Sequence, residues 1–367
     1  EHCRSMFVRG KPLSGLFPPS KRNGRMSEPV FPLISVVVLN WNGDRVVGQC
    51  LMSLQAQTYH PLEIIVVDNA STDGSVDLIQ ERFPDVKLIV NAKNLGFGGG
   101  NNVGIRASLG RYIMMLNNDT RLDPNCIEEL KKAIEKEGRY GACASKILLE
   151  YEDDLIDAAG IVVCPDGLSI GRGRLEKGDQ YDEEMEVFFA SDCACLYRRE
   201  MLEDIGLYDE DFFAYADETD MGWRAQLAGW KCIYNPKAIV YHFHSASSGT
   251  YSPFKAFLVE RNRIWVAVKN FPISLLLFGQ FYTFWRYLLQ AYGAFTGKGA
   301  AGRFTNDFSK TELVKILMKV YLSLWKQFPL MIKKRRAIQK KKRISNREMY
   351  RLIKQFGISA KEIALRE

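Results

Sequence analysis

The feature that most constrains this chain is a repeated change of hydrophobic period between residues 33 and 149. Unbroken apolar runs at 33–40, 62–69, 86–90 and 111–119 alternate with stretches patterned for helix. A short continuous apolar run marks a strand buried on both faces, as in a parallel sheet, and parallel neighbours need crossover connections that are usually helical. Helices are expected over 44–55, over 74–83 after the capping residues Ser71, Thr72 and Asp73, up to Ser108, and after Pro124. A fifth strand is expected over 141–149. The alternation predicts an α/β chain with an open, doubly wound, Rossmann-like and mostly parallel sheet.

Ligands of such sheets sit beyond the carboxyl ends of the strands. That singles out Asn40-Trp41-Asn42, Asp68-Asn69, Asn94-Leu95-Gly96 and Asn117-Asn118-Asp119, all expected on one edge. Trp41 can stack on a base, and Asp68 with Asn69 can meet a pyrimidine edge. Asp119 offers the carboxylate oxygen that a hard divalent ion wants when it neutralises a diphosphate; a plain turn after a strand reads the same residues equally well. The Gly-rich stretch 94–104 is expected to bring backbone close to a ligand. Its spacing is not that of a dinucleotide fingerprint.

Further along, Asp217, Glu218 and Asp220 crowd three carboxylates ahead of Arg224, with which Asp220 pairs if the segment is helical. A carboxylate here can take a hydroxyl proton. A solvated acidic helix start is the bland alternative, and the flanking Phe212, Phe213, Tyr215 and Trp223 argue against it. His242 and His244 lie on one face of an expected strand, where imidazole can complete a metal site. The eight cysteines show no ligand spacing, and Cys193 and Cys195 read as strand alternation in a reduced, cytosolic setting.

Taken in order, "SVVVLNWNG", "EIIVVDNASTDGS", "NLGFGGGNN", "LNNDT", "YDEDFFAYADETDMGWR" and "YHFHSASSG" resemble glycosyltransferase family 2, in its rhamnosyltransferase-type branch of bacterial polysaccharide enzymes. The resemblance covers about residues 33–270. It implies a GT-A fold and an inverting transfer from a nucleotide sugar, dTDP-rhamnose first and UDP- or GDP-sugars as alternatives. Its metal motif falls on Asn117-Asn118-Asp119, with Asp119 and His242 as ligands of Mn2+ or Mg2+. Its catalytic pair falls on Asp217-Glu218, with Glu218 as base and Asp217 as the alternative. Nucleotide-sugar contacts fall on Asn40, Trp41, Asn42, Asp68, Asn69, Asn94, Gly96, Asn102, Asn117, Asn118 and Arg261.

Residues 1–31 are expected to be a disordered or leader segment, 32–250 the catalytic domain, and 251–367 a helical, basic region. The last of these carries 24 basic and 6 acidic residues, a net of +18, against −11 for the residues before it. No secretory signal pattern is visible, and the apolar stretch 271–295 is too interrupted to span a bilayer. The resemblance implies a cytoplasmic enzyme, peripheral at the inner face of the cell membrane, acting on a glycan or lipid-linked glycan. In that reading the aromatic stretch and the runs 333–336 and 340–343 meet anionic headgroups, or the tail mediates a homodimer. Two rival readings are a non-catalytic scaffold on the same fold, suggested by Asn117 and the Asp217-Glu218 order, and a nucleic-acid-binding α/β protein. The tail lacks a recognisable module for the latter, and no nucleic acid is expected.

Overall fold

The computed structural model describes residues 31–152, 154–243, 252–297 and 309–365. The expected leader, up to residue 30, and His244 lie outside them. Strands β1 (Ile34–Asn40), β2 (Leu62–Asp68), β3 (Lys87–Val90) and β4 (Tyr112–Asn117) fall on the four apolar runs. Helices α1 (Val47–Gln55), α2 (Ser75–Arg82) and α3 (Gly96–Ala107) cross between them. β1 pairs in parallel with both β2 and β4, and β2 with β3. The register sets Asn40 opposite Asp68 and Leu39 opposite Asn117. The chosen strand ends therefore share one edge of the sheet.

The second half closes the sheet with longer-range pairings. After β5 (Thr120–Leu122) and α4 (Cys126–Ile134) come β6 (Tyr140–Leu149), β7 (Ile156–Ala158), the hairpin of β8 (Ile161–Val163) and β9 (Ser169–Gly171), and β10 (Met185–Val187). Next are β11 (Ala194–Arg198), α5 (Arg199–Ile205), α6 (Asp217–Leu227) and β12 (Lys231–His242). The main sheet runs β10-β12-β6-β11-β4-β1-β2-β3. β11 enters antiparallel between β4 and β6, while β12 and β6 are parallel. The result is a mixed α/β fold with a mostly parallel open sheet.

Helix α3 shows what its glycines are for. A Cβ on Gly104 would sit 2.3 Å from Val37 Cγ1, and one on Gly100 2.4 Å from Leu39 Cδ1. The helix thus presses directly on the sheet. Most of the glycines serve this packing, while Gly96, at a φ of +76°, lines the cavity.

The C-terminal region is helical: α7 (Pro253–Asn270), α8 (Ile273–Thr296), α9 (Lys310–Lys341), α10 (Asn346–Phe356) and α11 (Ala360–Leu365). Its basic runs do not all face outward. Lys334 pairs with Asp209 and Asp211, and Arg335 donates to the carbonyls of Val268 and Phe271. Arg343 grips Asp204 at 2.8 Å. Part of the charge split is thus spent inside the molecule, basic tail on acidic body.

Candidate active site

A cavity of about 920 Å³ opens at the carboxyl edge of the sheet. Trp41, Asn69, Asn94, Gly96, Asn117, Asn118, Asp119, Asp217, Glu218 and His242 line it. The strand-end reading therefore gathered most of one wall. Asn40, Asn42, Asp68, Asn102 and Arg261 are not in the lining. Asp68 is consumed by Asn40 Nδ2 at 2.8 Å and by Ser71 Oγ at 2.6 Å. Asn40 accepts from Asn118 Nδ2 at 2.7 Å, so the pair braces the strand ends from behind. Asn42 Oδ1 accepts from the Thr72 amide at 2.9 Å. Asn102 donates to Tyr208 O and Glu210, tying α3 to the segment before α6.

Arg261 has a different place from the one expected of a phosphate contact. Its Nη2 donates to the Phe212 carbonyl at 2.8 Å, and the adjacent Asn262 donates to the carbonyls of Phe212, Ala214 and Tyr215. Phe213, Tyr215 and Ala216 all have positive φ, between 64° and 68°. Such backbone is strained for residues with a Cβ and persists only where its surroundings hold it. Arg261 and Asn262 supply that hold and so aim the first turn of α6. Asp220 and Arg224 pair at 2.8 Å, as the helical spacing predicts.

The metal-capable wall comes from two pairings far apart in sequence. β5 lies antiparallel to β12 with Thr120 opposite His242, which delivers the imidazole to Asp119. His242 Nε2 is 3.2 Å from Asp119 Oδ1. Its Nδ1 is 2.8 Å from Asp157 Oδ2, brought in by β7 alongside β6. Burial works against a charge on His242, but Cys193, Asp119 and Asp157 around it hold its pKa well above the usual histidine range. Asp157, Cys193 and His242 offer ligand atoms within 4.8 Å of one another. This corrects the reading that set Cys193 aside as strand alternation. Asp157 also takes Arg174, on the loop after β9.

The facing wall is acidic. Asp217 is buried with neither carboxylate oxygen hydrogen-bonded. Burial, then Glu218, Asp192 and Asp220, push its pKa well above the carboxylate range. Burial also raises Glu218. Asp192 was missed by sequence reasoning. Its Oδ1 accepts from Tyr197 and, at 2.8 Å, from Tyr208, while burial and then Glu218 push its pKa up to about 7. Nothing local marks Asp192 or Asp157: each owes its position to strand pairing, not to a motif.

Comparison with known proteins agrees with this geometry. Residues 35–206 match Glycosyl transferase family 2. The N-acetylglucosaminyl-diphospho-decaprenol L-rhamnosyltransferase of Mycobacterium tuberculosis (strain H37Rv) is 27% identical over 245 residues, 59% of this chain and 78% of that protein. An uncharacterized glycosyltransferase of Haemophilus influenzae is 32% identical over 130 residues, 34% of this chain and 40% of its own. A crystal structure of GalNAc-T7 with UDP, GalNAc and Mn2+ superposes with a TM-score of 0.54 at 17% identity, over 66% of this chain. This chain spans about half (48%) of that one, and the likeness is one of fold. Fold, cavity and relatives define a glycosyltransferase. Residues 35–206 of the chain carry the family 2 match, and the chain is similar to the rhamnosyltransferase-like branch of that family.

Proposed function

We propose that this chain is a metal-dependent, inverting glycosyltransferase. It moves a sugar from a nucleoside-diphosphate donor to a glycan or lipid-linked glycan in cell-surface polysaccharide synthesis. The observation that carries the reading is one shared cavity lined by Asp119, His242 and Glu218 together. The mycobacterial relative, named for L-rhamnosyl transfer and for N-acetylglucosaminyl-diphospho-decaprenol, supports dTDP-rhamnose as the first donor to test.

Asp119 and His242 fit a divalent ion. Their donor atoms, His242 Nε2 and Asp119 Oδ1, converge to 3.2 Å on the cavity and would hold the ion between them. One carboxylate and one imidazole suit Mn2+ or Mg2+, and Asp157 on Nδ1 fixes the ring's orientation. When bound, the ion would neutralise the leaving diphosphate. Trp41 stacks on the base and Asn94 meets the nucleoside; Asn69 braces Asn94 from behind, its Nδ2 donating to Asn94 Oδ1 and the Gly96 carbonyl and its Oδ1 accepting from Asn91 and the Leu95 amide. Glu218 takes the acceptor's hydroxyl proton as that oxygen attacks the anomeric carbon. The bond from that carbon to the diphosphate oxygen breaks on the opposite face, which inverts the centre. Burial favours the neutral form of Asp217, which puts Glu218 ahead of it as the base.

In this reading residues 32–250 form the catalytic domain and 251–367 a helical region that sets the enzyme at the inner face of the membrane. A thermal-shift panel of dTDP-, UDP- and GDP-sugars with and without Mn2+ or Mg2+ tests it, because a ligand of the folded state raises the melting temperature. The expected result is a metal-dependent shift for one nucleotide class, lost in Asp119→Ala. No shift with any donor, in folded protein, would overturn the reading.

A further inference from the structure

Helix α8 is turned inside out. Its one charged residue, Arg286, is 0% exposed, with Nε 2.9 Å from Asp166 and Nη1 3.0 Å from Glu260. Gly279, on the same inward face, is close enough to the Pro165 carbonyl that a Cβ would lie 2.6 Å from it. The outward face instead carries Phe278, Phe281 and Trp285, with Phe281 76% exposed. A helix in water gains nothing from this arrangement, since large apolar side chains stay wet while a guanidinium is desolvated.

Helix α9 repeats the pattern. Its inner face packs Ile316 and Val320 toward α7. Its outer face presents Met318, Tyr321 and Trp325 at three- and four-residue spacing, with Trp325 80% exposed. Exposed apolar side chains gathered on one face of each helix mark an interaction surface. The charges name its occupant. Helix α8 contains no Asp or Glu and α9 only Glu312, in its first turn 3.4 Å from Lys315, while Lys315, Lys319 and Lys326 are exposed beside the stripe. A two-fold contact between copies sets each patch against itself, so it would bring lysine rows together with only Glu312, at one end of α9, to offset them. An anionic surface gains about 1 kcal/mol per lysine near it. Among the described residues no helix is long and apolar enough to cross a membrane.

We infer that the outward faces of α8 and α9 seat this enzyme on an anionic lipid bilayer, with both helices lying in the plane of the headgroups. The inference rests on the membrane-side acceptor proposed above and gives that reading its contact surface. The anchor is these aromatic faces with their three lysines, since Lys334, Arg335 and Arg343 of the basic runs are engaged inside the molecule. Helix α7 joins the surface to the chemistry. Its Glu260 and Arg263 hold α8, its outer side packs α9, and its Phe254 and Val259 line the cavity. Seating the face therefore fixes how the cavity is presented to an acceptor in the membrane.

The test is flotation of the full chain with vesicles of phosphatidylcholine alone and with added phosphatidylglycerol. Wild type is expected to float with the anionic vesicles and less with the neutral ones. The double variant Phe281→Ser/Trp325→Ser should lose binding on the order of tenfold or more. The triple variant Lys315→Gln/Lys319→Gln/Lys326→Gln should lose the preference for phosphatidylglycerol. Both sets change exposed side chains, so an unchanged melting temperature checks the fold. Wild type that stays unbound with both vesicles would overturn the inference, as would binding by the double variant equal to wild type. So would a concentration-dependent dimer that this variant abolishes while lipid binding is absent. The nucleotide-sugar thermal shift reads the cavity separately: its loss with lipid binding intact sinks the proposed reaction, and the converse sinks only the docking surface.

Discussion

Glu260→Gln tests whether the buried ion network that carries α8 is a working tether. Glu260 accepts from Arg263 Nε at 2.6 Å, Arg286 Nη1 at 3.0 Å and the Tyr287 hydroxyl at 3.0 Å. Burial alone would raise its pKa, but Arg263 and Arg286 outweigh it and hold the carboxyl down at about 2, from an ordinary 4.5. That depression is worth about 3 kcal/mol of folding stability. Because the folded pKa is the lower one, the contribution is complete above about pH 4.5 and drains away as pH falls toward 2. Glutamine removes it and leaves the two guanidiniums sharing Asp166. At ~2 °C per kcal/mol for a chain of this size, the variant should melt about 6 °C below wild type at pH 7. Urea titrations at pH 7 and pH 3 give the linked measurement, in which the gap should shrink by roughly half at the lower pH. Equal stabilities at pH 7, or a gap that widens as pH falls, would refute the reasoning.

Other outcomes follow from the site. Glu218→Gln should lower kcat by about 10²–10⁴ with the fold intact, and Asp217→Asn far less, because burial favours the neutral form of Asp217; steady-state rates on a common acceptor decide, and equal losses would move the base to Asp217. Asp157→Asn should raise the metal concentration needed for the donor-induced thermal shift by about 10–100-fold, through the freed His242 ring. Gly104→Ala should destabilise by about 1–3 kcal/mol in chemical denaturation, since its methyl meets Val37 at 2.3 Å.

The sheet was legible because buried parallel strands announce themselves as apolar runs, and the strand ends follow directly. Asp119, Asn69 and Trp41 were found that way. The antiparallel entry of β11 between β4 and β6 was not, because pairing partners leave no local mark. Asp157, Asp192 and Cys193 went unselected for the same reason. Asn102 and Arg261 were nominated by resemblance, and hydrogen bonds to the 208–215 segment show them bracing it. The periodicity of α8 gave a face but not its direction. Whether Arg286 or Phe281 turned inward depended on Asp166 and Glu260, more than twenty residues away.

The grip of Lys334 on Asp209 reaches further than the tail. Asp209 also holds Lys269 at 2.6 Å, and Lys269 holds Asp220 at 2.8 Å, two positions along α6 from Glu218. Against the effect of burial, these lysines keep Asp209 ionised, and Lys269 with Arg224 keeps Asp220 so. A fragment trimmed at residue 250 would retain the motifs by which the family is recognised and strip those two carboxylates of lysine counter-ions inside a closed interior. The border of kinship in this chain is therefore not a border of self-sufficiency. The stretch beyond the shared domain completes the electrostatic ground on which the acidic helix stands.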